Sequence, residues 1–226
     1  MIDFKGVHYP RSVILFAVYF YVRYGVSYRD LEEIMAERGV TVDHATLNRW
    51  VLKYSPQVAQ MEQKRKVQTA ESWCMDETYV KVRGEWVYLY RAVGRDGQTL
   101  DFILSAKRDT AAAKKVFANA LYHNGIPTRI TIDRSRSNAA GINEVNKIFK
   151  RLQIPVQIDT VRSKYLNNIV EQDHRFVKRL TKPMLGFKSF ISAAATLAGI
   201  EVANMIRKGQ FGSSISGFRQ FAKLAE

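Results

Sequence analysis

From Ser72 to Ala106 the chain contains three runs, SWCMDETYVKV, EWVYLYRAV and TLDFILSA, separated around Arg83–Gly84 and Asp96–Gly97. The runs are rich in β-branched and aromatic residues, and a glycine closing a short polar break is a hairpin signal. Three antiparallel strands in direct succession are therefore expected. The period then changes. Thr110 to His123 sets Val116, Phe117, Ala120 and Leu121 at helical spacing, with Gly125 as the stop. TRITID is a short strand ending at Asp133, and Asn138 to Leu152 is a helix with Ile142, Val145, Ile148, Phe149 and Leu152 as its stripe. PVQIDTV is a fifth strand, and Asn168 to Leu180 a further helix. The alanine-rich SFISAAATLAGIEVANMIRKG follows as a core helix.

A meander followed by strand–helix alternation predicts an α/β fold with a mixed five-stranded sheet flanked by helices, the ribonuclease-H-like arrangement. The segment ahead of it reads as all-helical. Arg11 to Tyr24 is apolar and stops at Gly25. Ser27 with Asp30 forms a capping-box-like start to a second helix that stops at Gly39, and Asp43 is an N-cap for a third. The last two resemble a helix-turn-helix, whose second helix would meet DNA through His44, Thr46, Asn48, Arg49 and Lys53. An ordinary helical hairpin would show the same pattern. The expected organisation is a helix-turn-helix domain over residues 1–54, a linker over 55–71, a catalytic core over 72–208 and a flexible tail over 209–226.

Asp76 lies at the centre of the first strand, with Glu77 beside it. A carboxylate is a poor strand former and is costly to bury unpaired. Strands one and four are neighbours in a ribonuclease-H-like sheet, so Asp76 and Asp133 would lie side by side. The helix after strand five would bring Glu171 over the same edge. Three converging carboxylates raise one another's pKa and become favourable around divalent cations. Such ions can clamp a phosphate during transfer. Taken singly, each acid has a plainer reading: a surface residue, a turn former at a strand end, or an acid favoured by a helix dipole. Glu77 is the alternative to Asp76. Along Glu171's helix, His174, Arg175 and Lys178 share its face and form a basic row suited to a DNA backbone. For Tyr79, Trp86 and Tyr88, core packing is a simpler expectation than DNA contact.

The chain carries 35 basic and 21 acidic residues, net +14, which points to a polyanionic partner. Its one cysteine, Cys74, excludes an internal disulfide, and with four histidines it leaves no Cys/His zinc cluster. The apolar run Val13 to Val22 is too short to span a bilayer. A buried helix of a cytoplasmic protein, with no membrane partner, is expected.

The stretches MDETYVKVRGEWVYLYRAV, KYLNNIVEQDHRFVKR, PMLGFKSF and GIEVANMIRKGQ resemble the DDE transposases of small bacterial insertion sequences, and most of all the insertion sequence six family. YGVSYRDLEEIMAERGVTVDHATLNRWV extends the resemblance to the front of the chain. The resemblance implies a ribonuclease-H-like core, a helix-turn-helix that binds the element's ends, Mg²⁺ dependence with Mn²⁺ as a substitute, and replicative cointegrate formation. It places the family's acids on Asp76, Asp133 and Glu171 and its basic residue on Lys178. Terminal inverted repeats and target DNA are the implied partners, with a homodimer or higher assembly in the synaptic complex and a nucleoid-associated location. Two rivals stay open: a non-catalytic helix-turn-helix regulator, and a nuclease of the same fold that does not join strands.

Overall fold

The computed structural model describes residues 2–63, 71–133, 136–163, 168–212 and 215–226. These divide into two units, Lys66–Arg175 and Met1–Arg65 with Phe176–Glu226.

In the first unit β1 (Ser72–Val82) and β2 (Glu85–Gly94) pair antiparallel, from Trp73 opposite Gly94 to Val82 opposite Glu85. Arg83 and Gly84 between them both have positive φ, 52° and 86°. That is the turn geometry whose twist matches the flanking strands. β3 (Thr99–Ser105) pairs antiparallel with β2, with a register shift at Ala92/Val93. α4 (Thr110–Asn124) starts on the side chain of Asp109, which accepts from the backbone N–H of Ala112. β4 (Arg129–Ile132) joins β1 in parallel, α5 (Arg136–Arg151) follows, and β5 (Asp159–Arg162) joins β4 in parallel. The sheet order is β3-β2-β1-β4-β5. This is the mixed five-stranded, ribonuclease-H-like sheet.

β5 is shorter than the expected run from Pro155. The side-chain amide of Asn146 on α5 takes both backbone groups of Ile158, at 3.0 Å each. The parallel ladder therefore begins only at Asp159.

Alternation along β1 distributes its side chains to two faces. Trp73 and Met75 join Phe117 of α4 and Ile142 of α5 in the larger core. Cys74 packs on the other face with Val93 and Val170, the latter on α6 (Asn168–Thr181). Cys74 is buried, and burial pushes its thiol pKa up.

The second unit is helical. It contains α1 (Arg11–Arg23), α2 (Tyr28–Glu37), α3 (His44–Gln63), α7 (Phe190–Arg207) and α8 (Gly217–Leu224). The boundary between the units falls within α6. Ser27 and Asp30 form the capping box of α2. α3 runs through Pro56, into the stretch expected as a linker. A proline inside a helix removes one backbone hydrogen bond. Here the turn beyond it buries Val58 and Ala59, and tertiary packing outweighs local propensity. The remainder of that expected linker, 64–70, lies outside the described residues. α7 packs against α1 and α3. It is the one described helix long and apolar enough to cross a membrane, and most of it is buried inside the protein. The expected flexible tail contains α8, which buries Phe221 and Leu224 and packs against α1 and α7. Its apolar stripe gives that segment a reason to fold onto its neighbours.

Candidate active site

The parallel register between β1 and β4 ends with Met75 opposite Ile132. Asp76 continues β1 and Asp133 directly follows the end of β4, so the two carboxylates emerge level with one another. Asp76 follows the parity of Cys74 and lies on the α6 face. Glu77 follows Met75 and lies on the α5 face. Carboxylate oxygens of Asp76, Glu77 and Asp133 all lie within 4.8 Å of one another. An oxygen-only donor set of this kind fits a hard divalent cation.

Electrostatics separate the two neighbouring acids. Asp76 is 15% exposed at its side chain, and its Oδ2 is 3.8 Å from His174 Nδ1. Its carboxyl is pushed up to about 7, mainly by burial and then by the charge of Asp133, with smaller contributions from Glu77 and Glu171, while the backbone N–H of Glu77 acts the other way. Bringing a divalent cation to this point would reverse that repulsion. Glu77 is instead held by protein groups. Its side chain is 3% exposed and forms an ion pair with Arg108, and Oε2 accepts a 2.8 Å hydrogen bond from the Asn138 side chain. The nearby acids raise the Arg108 pKa.

Glu171 stands in the first turn of α6, exposed, and its charge reaches Asp76. Arg175 and Lys178 on the same helix are exposed, as a basic row requires. His174 is not part of that outward row. It is 5% exposed and faces Asp76. The helical stripe that buries Val170 and Val177 also turns position 174 inward.

Arg91 and Asp173 were not among the expected site residues. Arg91 is the cross-strand partner of Asp76, and its guanidinium donates to Asp173 Oδ2 at 2.6 Å, with both side chains buried. The available signal was a lone arginine inside the apolar YLYRAV, the same kind of anomaly as Asp76 in its own strand. Arg108 and Asn138 carried no comparable signal, because their roles depend on contacts distant in sequence.

At the start of α3 the side chain of Asp43 accepts from the backbone N–H of Thr46 at 2.9 Å and from its hydroxyl at 2.7 Å. Arg49 donates to the Thr46 hydroxyl at 2.6 Å, and His44 contacts Glu32 of α2 at 2.9 Å. His44, Arg49 and Lys53 are exposed, whereas Thr46 and Asn48 are partly buried.

Residues 70–210 match the sequence profile of a DDE domain, and residues 10–129 match that of the transposase IS66 family. The chain is 38% identical over 218 residues to the transposase for insertion sequence-like element IS431mec of Staphylococcus aureus, covering 95% of this chain and 93% of that protein. The transposase for insertion sequence element IS257 in transposon Tn4003, also of Staphylococcus aureus, gives the same identity and coverage. Among solved structures, the chain is similar to the HTLV-2 integrase catalytic core domain in complex with magnesium, with a TM-score of 0.45 and 17% identity over 62% of this chain and 88% of that one. By its sequence motifs, its matched DDE domain and its near full-length relatives, the chain belongs to the DDE transposases of bacterial insertion sequences.

Proposed function

We propose that this transposase cleaves DNA at the ends of an insertion sequence and joins the freed strands to target DNA, using Asp76, Asp133 and Glu171 as its catalytic acids and metal ligands. The observation that carries the reading is the level placement of Asp76 and Asp133 at the end of the β1–β4 register, with the Asp76 carboxyl raised to about 7 by burial and by its neighbours' charge. Glu77 lies in the 4.8 Å cluster with Asp76 and Asp133 and Glu171 does not, but Arg108 already neutralises Glu77, which favours the exposed Glu171 as third ligand once an ion is bound. Mg²⁺, with Mn²⁺ as a substitute, would activate the attacking hydroxyl and neutralise charge on the phosphate.

The protein groups position the reactants. Exposed Arg175 and Lys178 would hold phosphates along α6. Buried His174 would orient Asp76 rather than touch DNA. His44, Thr46, Asn48, Arg49 and Lys53 of α3 would meet the terminal inverted repeats. Hydrolysis of one strand frees a 3′-hydroxyl, and that hydroxyl then attacks a target phosphodiester, forming the new bond as the target strand's own 3′-oxygen leaves, without a covalent enzyme intermediate, as replicative cointegrate formation requires. Two ends joined in concert call for a homodimer or larger synaptic assembly. The protein would act in the cytoplasm on nucleoid DNA.

The test is a supercoiled plasmid carrying the gene with its native flanking DNA, incubated with purified protein in Mg²⁺ or in EDTA. Discrete Mg²⁺-dependent nicks and joined strands, both lost in Asp133→Asn, are expected. Nicks without joining would indicate a nuclease. Binding with neither nicking nor joining would indicate a regulator.

A further inference from the structure

The outer half of the β1–β2 hairpin carries two large aromatic rings in water. Tyr79 is 53% exposed and Trp86 60%, with ring centroids 5.7 Å apart in an edge-on arrangement. These residues were expected to pack in the core. Single exposed apolar residues are ordinary, but two in contact on one sheet face form a patch.

Strand alternation explains the patch. Glu77, Tyr79 and Lys81 occupy one face of β1, and Tyr88 and Trp86 oppose the latter two from β2. The face therefore starts at Glu77, the member of the acidic cluster on the α5 side, and runs outward. Asp76 lies on the other side of β1, and the two sides meet where the β1–β4 pairing ends, at Met75 opposite Ile132. At about 3.3 Å per residue, Tyr79 lies roughly 7 Å and Lys81 roughly 13 Å along the strand from Glu77. Lys81 is exposed directly opposite Trp86, and exposed Arg83 occupies the turn. The nearest acid of the hairpin tip, Glu85, pairs with Val82 and points to the opposite face.

We propose that Tyr79 and Trp86 form a stacking platform for an unpaired DNA base, on a strand whose scissile phosphate lies at the Asp76–Asp133 site; this rests on the function proposed above. Exposed rings offer the flat π surface that a base face needs, and duplex DNA keeps its base faces covered. The neighbouring cations supply charge complementarity for the phosphates of the same strand. Ring faces and cations bind any base face and any phosphate alike, so the platform is sequence-tolerant.

The chain has three tryptophans, and Trp50 and Trp73 are 6% and 1% exposed, so the emission of an exposed indole reports Trp86. The full-length protein in EDTA is titrated with a labelled oligothymidylate, following anisotropy for binding and tryptophan emission for stacking. Quenching of the Trp86 emission in step with binding is expected. Trp86→Ala should bind the oligothymidylate about 5- to 100-fold more weakly, the range that loss of one stacked base implies. Its affinity for duplex should be unchanged, and Trp86→Phe should restore single-strand binding. The duplex arm also shows that the alanine variant is folded.

Three results would overturn the platform: binding with no change in emission, wild-type affinity in Trp86→Ala, or no binding of oligothymidylate at all. Loss of self-association in Trp86→Ala at unchanged oligothymidylate affinity would reassign the patch to contact between copies. None of these outcomes bears on the plasmid cleavage test, so failure of the platform and failure of the catalytic reading are distinguishable.

Discussion

Arg91 of β2 and Asp173 of α6 meet at 2.6 Å, with side chains 0% and 5% exposed. Arg91 stands opposite Asp76 in the sheet, and Asp173 is two residues beyond Glu171. One buried ion pair thus ties the helix bearing the third acid to the strand beside the first. Removing one partner of such a pair leaves an uncompensated buried charge. Asp173→Asn should lower stability by about 3–5 kcal/mol, measured by urea denaturation. The double variant Arg91→Met/Asp173→Leu should recover much of that loss, because neither charge then remains.

Asp76 predicts a specific pH dependence. Its carboxyl is raised from 3.8 to about 7 in the folded protein. Between those values the unfolded chain has released a proton that the folded chain retains. The unfolded state then binds fewer protons, so this group's contribution to stability falls as pH rises through that window. Metal-free Asp76→Asn should lack this decline and be more stable than wild type above pH 7. Thermal unfolding from pH 4 to 8 in EDTA checks the sign. Mg²⁺ should raise the wild-type melting temperature at pH 8 and have little effect on the variant.

Glu77 and Arg108 should move metal affinity in opposite directions. Glu77→Gln removes one negative charge from the acidic cluster and should weaken Mn²⁺ binding, whereas Arg108→Ala removes the cation paired with Glu77 and should strengthen it. Effects of roughly 10-fold or more are typical when groups supporting a metal site are changed. Isothermal titration calorimetry in the absence of DNA measures both.

Gly199 on α7 marks a close helix crossing. A Cβ there would come within 2.7 Å of both Ser55 Oγ and Val22 Cγ1, and 2.9 Å of Ser55 Cβ. Alanine would gain about 1 kcal/mol in helix propensity. Contacts this short on a branched side chain and on a Cβ outweigh that gain. Gly199→Ala should destabilise by a net of about 1–3 kcal/mol, read from chemical unfolding.

Much of the site was legible in the sequence because anomalies within regular patterns are local. Asp76 stood out inside an apolar strand, while Asp133 at a strand end and Glu171 at a helix start gained meaning only from their places in the order of elements. His174 was grouped with Arg175 and Lys178 in a row facing DNA because helical spacing alone does not say which stripe is buried. Tyr79 and Trp86 were expected inside because aromatic residues in strands usually are, yet the hairpin face on which they stand is open at that height. Arg91 in YLYRAV was an anomaly as plain as Asp76, but its meaning lay 82 residues away.

By itself the sequence determined the order of strands and helices, the hairpin turns and the family, since these rest on period, turn chemistry and motif, all read within short windows. The order of elements already implied that Asp76 and Asp133 are neighbours, but only the tertiary structure decided the register at which they stand level, that Glu77 is held by Arg108 and Asn138, and that α3 continues through Pro56. The physical reason is common to all three. The register of a parallel strand pair, the partner of a buried charge and the tolerance of a helix for proline are set by packing between segments far apart in the chain, which no local pattern encodes.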